Sequence, residues 1–301
     1  MKKRKKMFSF IDCLLILLVS LYVLSDTFLI QRTYAEVNDS RSEKEIFGLT
    51  QETSVTAEAS ISENSYEDDD ISIHLEEYVY LDTVIYVADV KISSIDLLYS
   101  AFADDSYGRN VTDKVSEISE DNDAILAING DYYGARNNGY VLRNGTIYRE
   151  TSSGSDQEDL VILADGSFAF IREGETKLRE INDALQVYSF GPALIEDYAI
   201  SVDENDEVGK AMASNPRTAI CEIEPLHYLF VVCDGRSDES EGLSLYELAC
   251  FLEQFDVKNA YNLDGGGSST MVFNGELINN PTTSGNSIKE RSVSDAICIG
   301  Y

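Results

Sequence analysis

Short runs rich in Val, Ile, Tyr and Phe recur along the chain and mostly close on Gly, Asn or Asp. They are Val79–Val90, Ala124–Asn129, Asp159–Leu163, Phe168–Arg172, Gln186–Phe190, Thr218–Ile223, Tyr228–Cys233 and Ala296–Ile299. This pattern predicts strands, with Asn144-Gly145, Asp165-Gly166 and Asn274-Gly275 as hairpin-type turns between others. Two stretches change to helical spacing. Val111–Asn122 places Val111, Val115 and Ile118 on one face. Leu243–Phe255 repeats Leu245, Leu248, Ala249 and Leu252 after Ser244, with Glu247 three residues on as a capping box. Many strands and few helices predict an α+β class: one domain over 71–301 with a mixed, largely antiparallel sheet core. Its roughly 230 residues are enough for one substantial core.

A hydrophobic segment precedes that domain. Lys2, Lys3, Arg4, Lys5 and Lys6 lead into an apolar run from Phe8 to Ile30, interrupted by Asp12 and Asp26. Cys13–Leu24 is uncharged and has the length of a signal-peptide core, and Thr33-Tyr34-Ala35 offers a small-residue cleavage site. Residues 1–35 therefore read as a signal peptide or, if uncut, a signal anchor with the basic end inside. Either places the domain outside the cell, secreted or tethered to the membrane through residues 8–30. Residues 36–70, rich in Ser, Glu, Asp and Thr, end on Glu67-Asp68-Asp69-Asp70. Such a composition has too little apolar surface to offset its ordering entropy and predicts an acidic disordered stalk.

Charge narrows the partners. The 301 residues hold 54 acids and 23 bases, a net −31, and 52 of those acids fall in residues 36–301. A body this acidic is a poor binder of nucleic acid phosphates. Cys221, Cys233, Cys250 and Cys298 lie in apolar patterns without paired C-x-x-C spacing, which predicts buried thiols and no zinc site. The Asp-rich loops carry the oxygen ligands that suit Ca²⁺ or Mg²⁺, but none has EF-hand spacing, so a metal stays unassigned.

Polar residues gather where the apolar strands end. One cluster is Asn129-Gly130-Asp131-Tyr132-Tyr133, and a second is Asn215-Pro216-Arg217-Thr218-Ala219. A third is Cys233-Asp234-Gly235-Arg236, and a fourth is Asn262-Leu263-Asp264-Gly265-Gly266-Gly267-Ser268-Ser269-Thr270-Met271. Three glycines after an aspartate let the backbone approach a ligand closely and expose amide donors, as an oxyanion or phosphate requires. The loop is neither a P-loop, a dinucleotide fingerprint nor a G-x-S-x-G elbow.

Taken in order, AINGDYY, FGPALI, NPRTA, DGR with EGLSLYELACFL, and NLDGGGSSTM resemble the phosphodiester glycosidase family over about Val111 to Ile299. The resemblance implies hydrolysis of a sugar-1-phosphodiester, with attack at the anomeric carbon and a phosphomonoester leaving. A glycosidase ordinarily works with two carboxylates. Asp234 and Asp264 form the first candidate pair, with Asp131 as a third. A phosphate is already a stabilised leaving group, so guanidinium charge should matter more than acid catalysis. Arg217, Arg236 and Arg291 are the motif-borne cations. Asn129, Ser268 and the backbone of Gly265, Gly266 and Gly267 are candidates to bind sugar or phosphate. Without Trp, a stacking platform would fall to Tyr132, Tyr133, Tyr140 or Phe190. The expected partner is a phosphodiester-linked carbohydrate in a glycan or exopolysaccharide. A catalytically silent glycan-binding or polysaccharide-assembly protein would use the same pocket.

Overall fold

The computed structural model describes residues 2–37, 59–206, 214–284 and 287–301. A nine-stranded sheet forms its backbone, in the order 199–200, 193–196, 259–262, 217–224, 227–233, 83–92, 71–80, 65–67, 60–61. A five-stranded sheet runs 276–277, 271–273, 126–129, 295–299, 98–102, and a second runs 146–149, 141–143, 184–188, 158–163, 168–172. Neighbouring strands pair antiparallel in all three, as the α+β reading expects.

The layers follow from which side chains alternate inward. One core gathers Ile73, Val90, Phe230 and Tyr261 of the nine-stranded sheet with Leu126, Ile128 and Ile297 of the first five-stranded sheet and Leu160, Ile162 and Tyr188 of the second. The outer face of the nine-stranded sheet, with Ile85, Ala219, Cys221, Val231 and Cys233, is covered by Leu245, Leu248, Ala249, Phe251 and Leu252. Those five belong to the helix Leu245–Glu253, which begins on the predicted capping box: Ser244 Oγ accepts from Glu247 N and Glu247 accepts from Ser244 N. The helix Val115–Asp121 covers the first five-stranded sheet through Val115 and Ile118. It starts later than its periodicity suggests, because Asp113 exchanges backbone hydrogen bonds with Val293 and stays extended. Central strands buried on both faces explain why Thr218–Ile223 and Tyr228–Cys233 read as continuous apolar runs. Cys221, Cys233 and Cys298 are buried, and Cys250 is half-buried.

Two sequence expectations change. Val79–Val90 is not one strand: Leu81 and Asp82 adopt left-handed conformations (φ 46° and 52°) and fold Ile71–Tyr80 onto Thr83–Ile92 as a hairpin. Part of the expected stalk is ordered, since Ser65–Glu67 pairs with the strand Ile71–Tyr80 and buries Tyr66. Asp68 then accepts hydrogen bonds from the Tyr66 and Tyr301 hydroxyls and from the amides of Asp70 and Ile71. Residues 38–58 of that stalk lie outside the described residues. Lys2–Phe28 is helical, and among the described residues no helix is long and apolar enough to cross a membrane. The strand Arg32–Glu36, which contains the expected cleavage site, pairs with Ser106–Arg109 of the domain.

Candidate active site

The four polar clusters meet at one end of the nine-stranded sheet. The register sets Arg217 opposite Cys233, so the loops carrying Asn215 and Arg236 leave adjacent strand ends together. Ala219–Glu222 pairs in turn with the strand Asn259–Asn262, Ala219 opposite Asn262, which delivers the Asp264 turn beside Arg217. A cavity of about 190 Å³ results, lined by Phe190, Asn215, Arg217, Arg236, Asn262, Leu263, Asp264, Gly265, Gly266 and Arg291.

Within it the cations are close to one another. Arg217 is 3% exposed and donates from Nε to Leu243 O at 2.8 Å. Arg236 reaches Asn215 Oδ1 through Nη2 at 2.8 Å and Nε at 3.2 Å. Burial, then the neighbouring charges of Arg291 and Arg217, depress the Arg236 guanidinium below its ordinary value. An anion entering this space would relieve both penalties.

The glycines make room for this arrangement. A Cβ on Gly266 would stand 2.8 Å from Arg236 Nη2, and φ is +63° there. One on Gly267 would stand 2.7 Å from Arg291 Nη2 and 2.8 Å from the Thr283 backbone. Only residues lacking Cβ let the turn slide beneath the guanidinium groups.

Asp264 is half-buried in the lining. Burial pushes its carboxyl above the ordinary aspartate value, while a hydrogen bond from Ser268 and the charges of Arg291 and Arg136 pull the other way. Arg136 was not among the sequence candidates. It sits over the Phe190 ring at 5.5 Å and the Tyr132 ring at 5.8 Å. Ser268 Oγ also stands 3.5 Å from Arg291 Nη1, so it joins the acid to a cation from below.

The remaining candidates are placed elsewhere. Asp131 does not face the cavity: its side chain is wholly buried, 2.9 Å from Arg143 Nη2, and accepts from Tyr133 N and Ser189 N at 3.0 Å each. Asp234 lies against a separate cavity and accepts from Asn279 Nδ2 and Asn280 N, both at 3.0 Å. It holds the 279–282 segment in place, and the expected Asp234–Asp264 pair is not assembled in the lining. Asn129 is fully buried, and its hydrogen bonds are internal. Its Nδ2 donates to Asp264 O at 2.7 Å and its Oδ1 accepts from Thr218 Oγ1 at 2.8 Å and Thr270 N at 3.2 Å. It positions the Asp264 turn rather than a ligand. Among the described residues no group of three or more His, Cys, Asp and Glu could hold a metal, so the Ca²⁺ or Mg²⁺ expectation finds no ligand set there.

The phosphodiester glycosidase family model matches residues 122–300, a span that contains every residue of the cavity. The chain belongs to the phosphodiester glycosidase family. Among its relatives is the mouse N-acetylglucosamine-1-phosphodiester alpha-N-acetylglucosaminidase, 34% identical over 158 residues, 48% of this chain and 30% of the mouse protein. The human enzyme of the same name is 34% identical over 185 residues, covering 56% and 35%. The SPbeta prophage-derived protein YomE of Bacillus subtilis is 26% identical over 203 residues, covering 65% and 31%. The chain thus spans about a third of the length of these relatives. The catalytic domain of the zebrafish N-acetylglucosamine-1-phosphodiester alpha-N-acetylglucosaminidase, auto-inhibited by its pro-peptide, shares the fold with a TM-score of 0.61 at 19% identity. That likeness covers 90% of this chain and 88% of the zebrafish one.

For a phosphodiester glycosidase family member, several residues in or beside the lining escaped the sequence reading. Asn215 and Asn262 sit inside motifs that were singled out, but asparagine at a strand end reads equally as a turn residue. Arg136 had a signal of its own, as a base three residues after Tyr133 in a strongly acidic chain. Phe190 was named only as one of four aromatic candidates.

Proposed function

We propose that this domain hydrolyses a sugar-1-phosphodiester of the N-acetylglucosamine type, adding water at the anomeric carbon and releasing a phosphomonoester. The observation that carries this reading is the convergence of Arg217, Arg236 and Arg291 on one cavity that also holds the Asp264 carboxyl. In the proposed reaction the guanidinium groups bind the diester anion. They then stabilise the second negative charge that appears on the phosphate as the bond from C1 to oxygen breaks. Asp264, as carboxylate, serves as nucleophile or base on the anomeric side. A phosphomonoester leaves without being protonated, so the engagement of Asp131 and Asp234 elsewhere is compatible with turnover.

That Asp264 is the lone carboxyl among the described lining residues also favours a second reading, glycan phosphate binding without turnover. One experiment separates the two. The full chain and its Asp264→Asn variant are assayed against a panel of sugar-1-phosphodiesters, with and without chelator. Hydrolysis by the wild type and a loss of roughly 10³-fold in the variant, with the fold retained, support the enzyme. Binding without hydrolysis across the panel supports the second reading, and full activity in Asp264→Asn sinks the assignment of that residue. The basic start and the uncharged Cys13–Leu24 stretch support export of the domain, where a glycan or exopolysaccharide substrate would be met.

A further inference from the structure

One residue of the arginine cavity's lining, Asn262, carries a polar atom that the phosphate cannot satisfy. Asn262 is 1% exposed, and its backbone is held on both sides by Gly191-Pro192: its amide donates to Pro192 O and its carbonyl accepts from Gly191 N. The side chain is fixed as well. Its Nδ2 donates to Gly191 O at 2.8 Å, and a carbonyl can only accept, so Oδ1 must point the other way. That Oδ1 is buried without a hydrogen-bond partner. Other buried polar atoms among the described residues share this condition, both Asp159 carboxylate oxygens, Ser269 Oγ and Thr270 Oγ1 among them, but of these residues Asn262 alone lines the cavity. A buried, unpaired acceptor costs about 1–3 kcal/mol, which a ligand can recover by supplying a donor.

The chemistry of the cavity limits which ligand group that is. Arg217, Arg236 and Arg291 are donors only, and a phosphodiester presents only acceptor oxygens near neutral pH. The phosphate therefore pairs with the arginines and is repelled by Asn262 Oδ1. A donor must come from the group that the phosphate is attached to.

We infer that Asn262 is a specificity-determining residue: its Oδ1 accepts a hydrogen bond from a hydroxyl or acetamido N–H on the sugar ring bearing the phosphate. The inference rests on the sugar-1-phosphodiester reading and adds to it a demand for a ring donor close to the phosphate. A site built this way discriminates against an otherwise identical ligand lacking the donor, because the acceptor is then left buried and unpaired.

The test reads binding, so it stands apart from turnover. Titration calorimetry on the full chain compares N-acetylglucosamine-1-phosphate, glucose-1-phosphate, its deoxy analogues at each free hydroxyl, and inorganic phosphate. The expected result is a loss of about 10- to 100-fold for one deoxy position relative to its parent, with the other positions nearly silent. In Asn262→Leu that one difference disappears while inorganic phosphate binds as in the wild type. Asn262→Asp, which keeps the acceptor and adds a charge, weakens every anion but preserves the ranking. A flat deoxy series in the wild type overturns the inference, and this arm needs no variant to fold. Equal weakening of all ligands by Asn262→Leu, inorganic phosphate included, also overturns it. If the ranking appears but no phosphodiester is hydrolysed, the hydrolase reading fails and the role of Asn262 stands.

Discussion

Two arginine environments in this molecule answer opposite electrostatic problems. Arg143 has no exposed side-chain surface and lies between Asp131 Oδ2 at 2.9 Å and Asp295 Oδ2 at 2.8 Å, with its guanidinium carbon 4.1 Å from the Tyr188 ring centroid. Burial works against its charge, but the two carboxylates outweigh it and keep the guanidinium protonated. Around the glycine turn the balance reverses, and Arg236 is pushed towards neutrality by burial and by two more arginines. One residue type thus serves as a structural clamp where carboxylates surround it and, in the proposed function, as an anion receptor where cations do. Proximity to a motif does not decide which role an arginine takes; the sign of its neighbours does.

The sharpest way to break this contrast is to remove the clamp. Arg143→Met leaves Asp131 and Asp295 buried without their cation and should cost about 3–5 kcal/mol of stability, read from urea denaturation. Arg236→Met should behave in the opposite way. Its urea midpoint stays near the wild-type value, while kcat/KM on a sugar-1-phosphodiester falls by about 100-fold, the scale of losing one preorganised donor to a developing charge. Equal stability losses in the two variants would erase the distinction between the regions. A smaller effect tests the turn itself. Gly266→Ala forces a Cβ into a left-handed position beside Arg236 and should cost about 1 kcal/mol in thermal denaturation, with a loss of activity as the guanidinium shifts. The smallest effect concerns pH. Burial raises Asp264, while Arg291 and Arg136 oppose the rise, so Arg136→Met removes a lowering influence. If Asp264 acts as a carboxylate, the acid limb of its kcat/KM profile lies above the ordinary aspartate value. Arg136→Met moves that limb to higher pH, and a shift to lower pH would contradict the placement of Arg136.

Legibility in the sequence followed how local each signal was. The helix Leu245–Glu253 carries its start signal and its apolar stripe within about a dozen residues, and both appear in the structure. Phe168–Arg172 was bounded by turn residues and forms with those limits. The Ile71–Ile92 hairpin was missed because its turn uses Leu81 and Asp82 in left-handed conformations, without the usual Gly or Asn. In the site, the Asp264 turn and its three arginines were legible because glycine spacing and motif order mark them. The roles of Asp131 and Asp234 were not, since Asp at a strand end looks the same whether it faces a ligand or ties down a loop. Asp131 is fixed by Arg143, twelve residues away, and Arg143 by Asp295, across 152 more. Nothing in the local pattern around Arg143 announces a buried cation.

Asn129 has a consequence for how this molecule would fail on heating. It sits on a strand of one sheet, grips Thr218 on another, and carries the Asp264 carbonyl between them. The cavity is therefore a vernier set by the fit of two sheets, not a property of either. A slip between the sheets too small to melt any strand would already carry Asp264 away from the arginines. Ligand affinity should consequently fade several degrees before circular dichroism records any loss of strand, which makes binding the more sensitive thermometer of this fold.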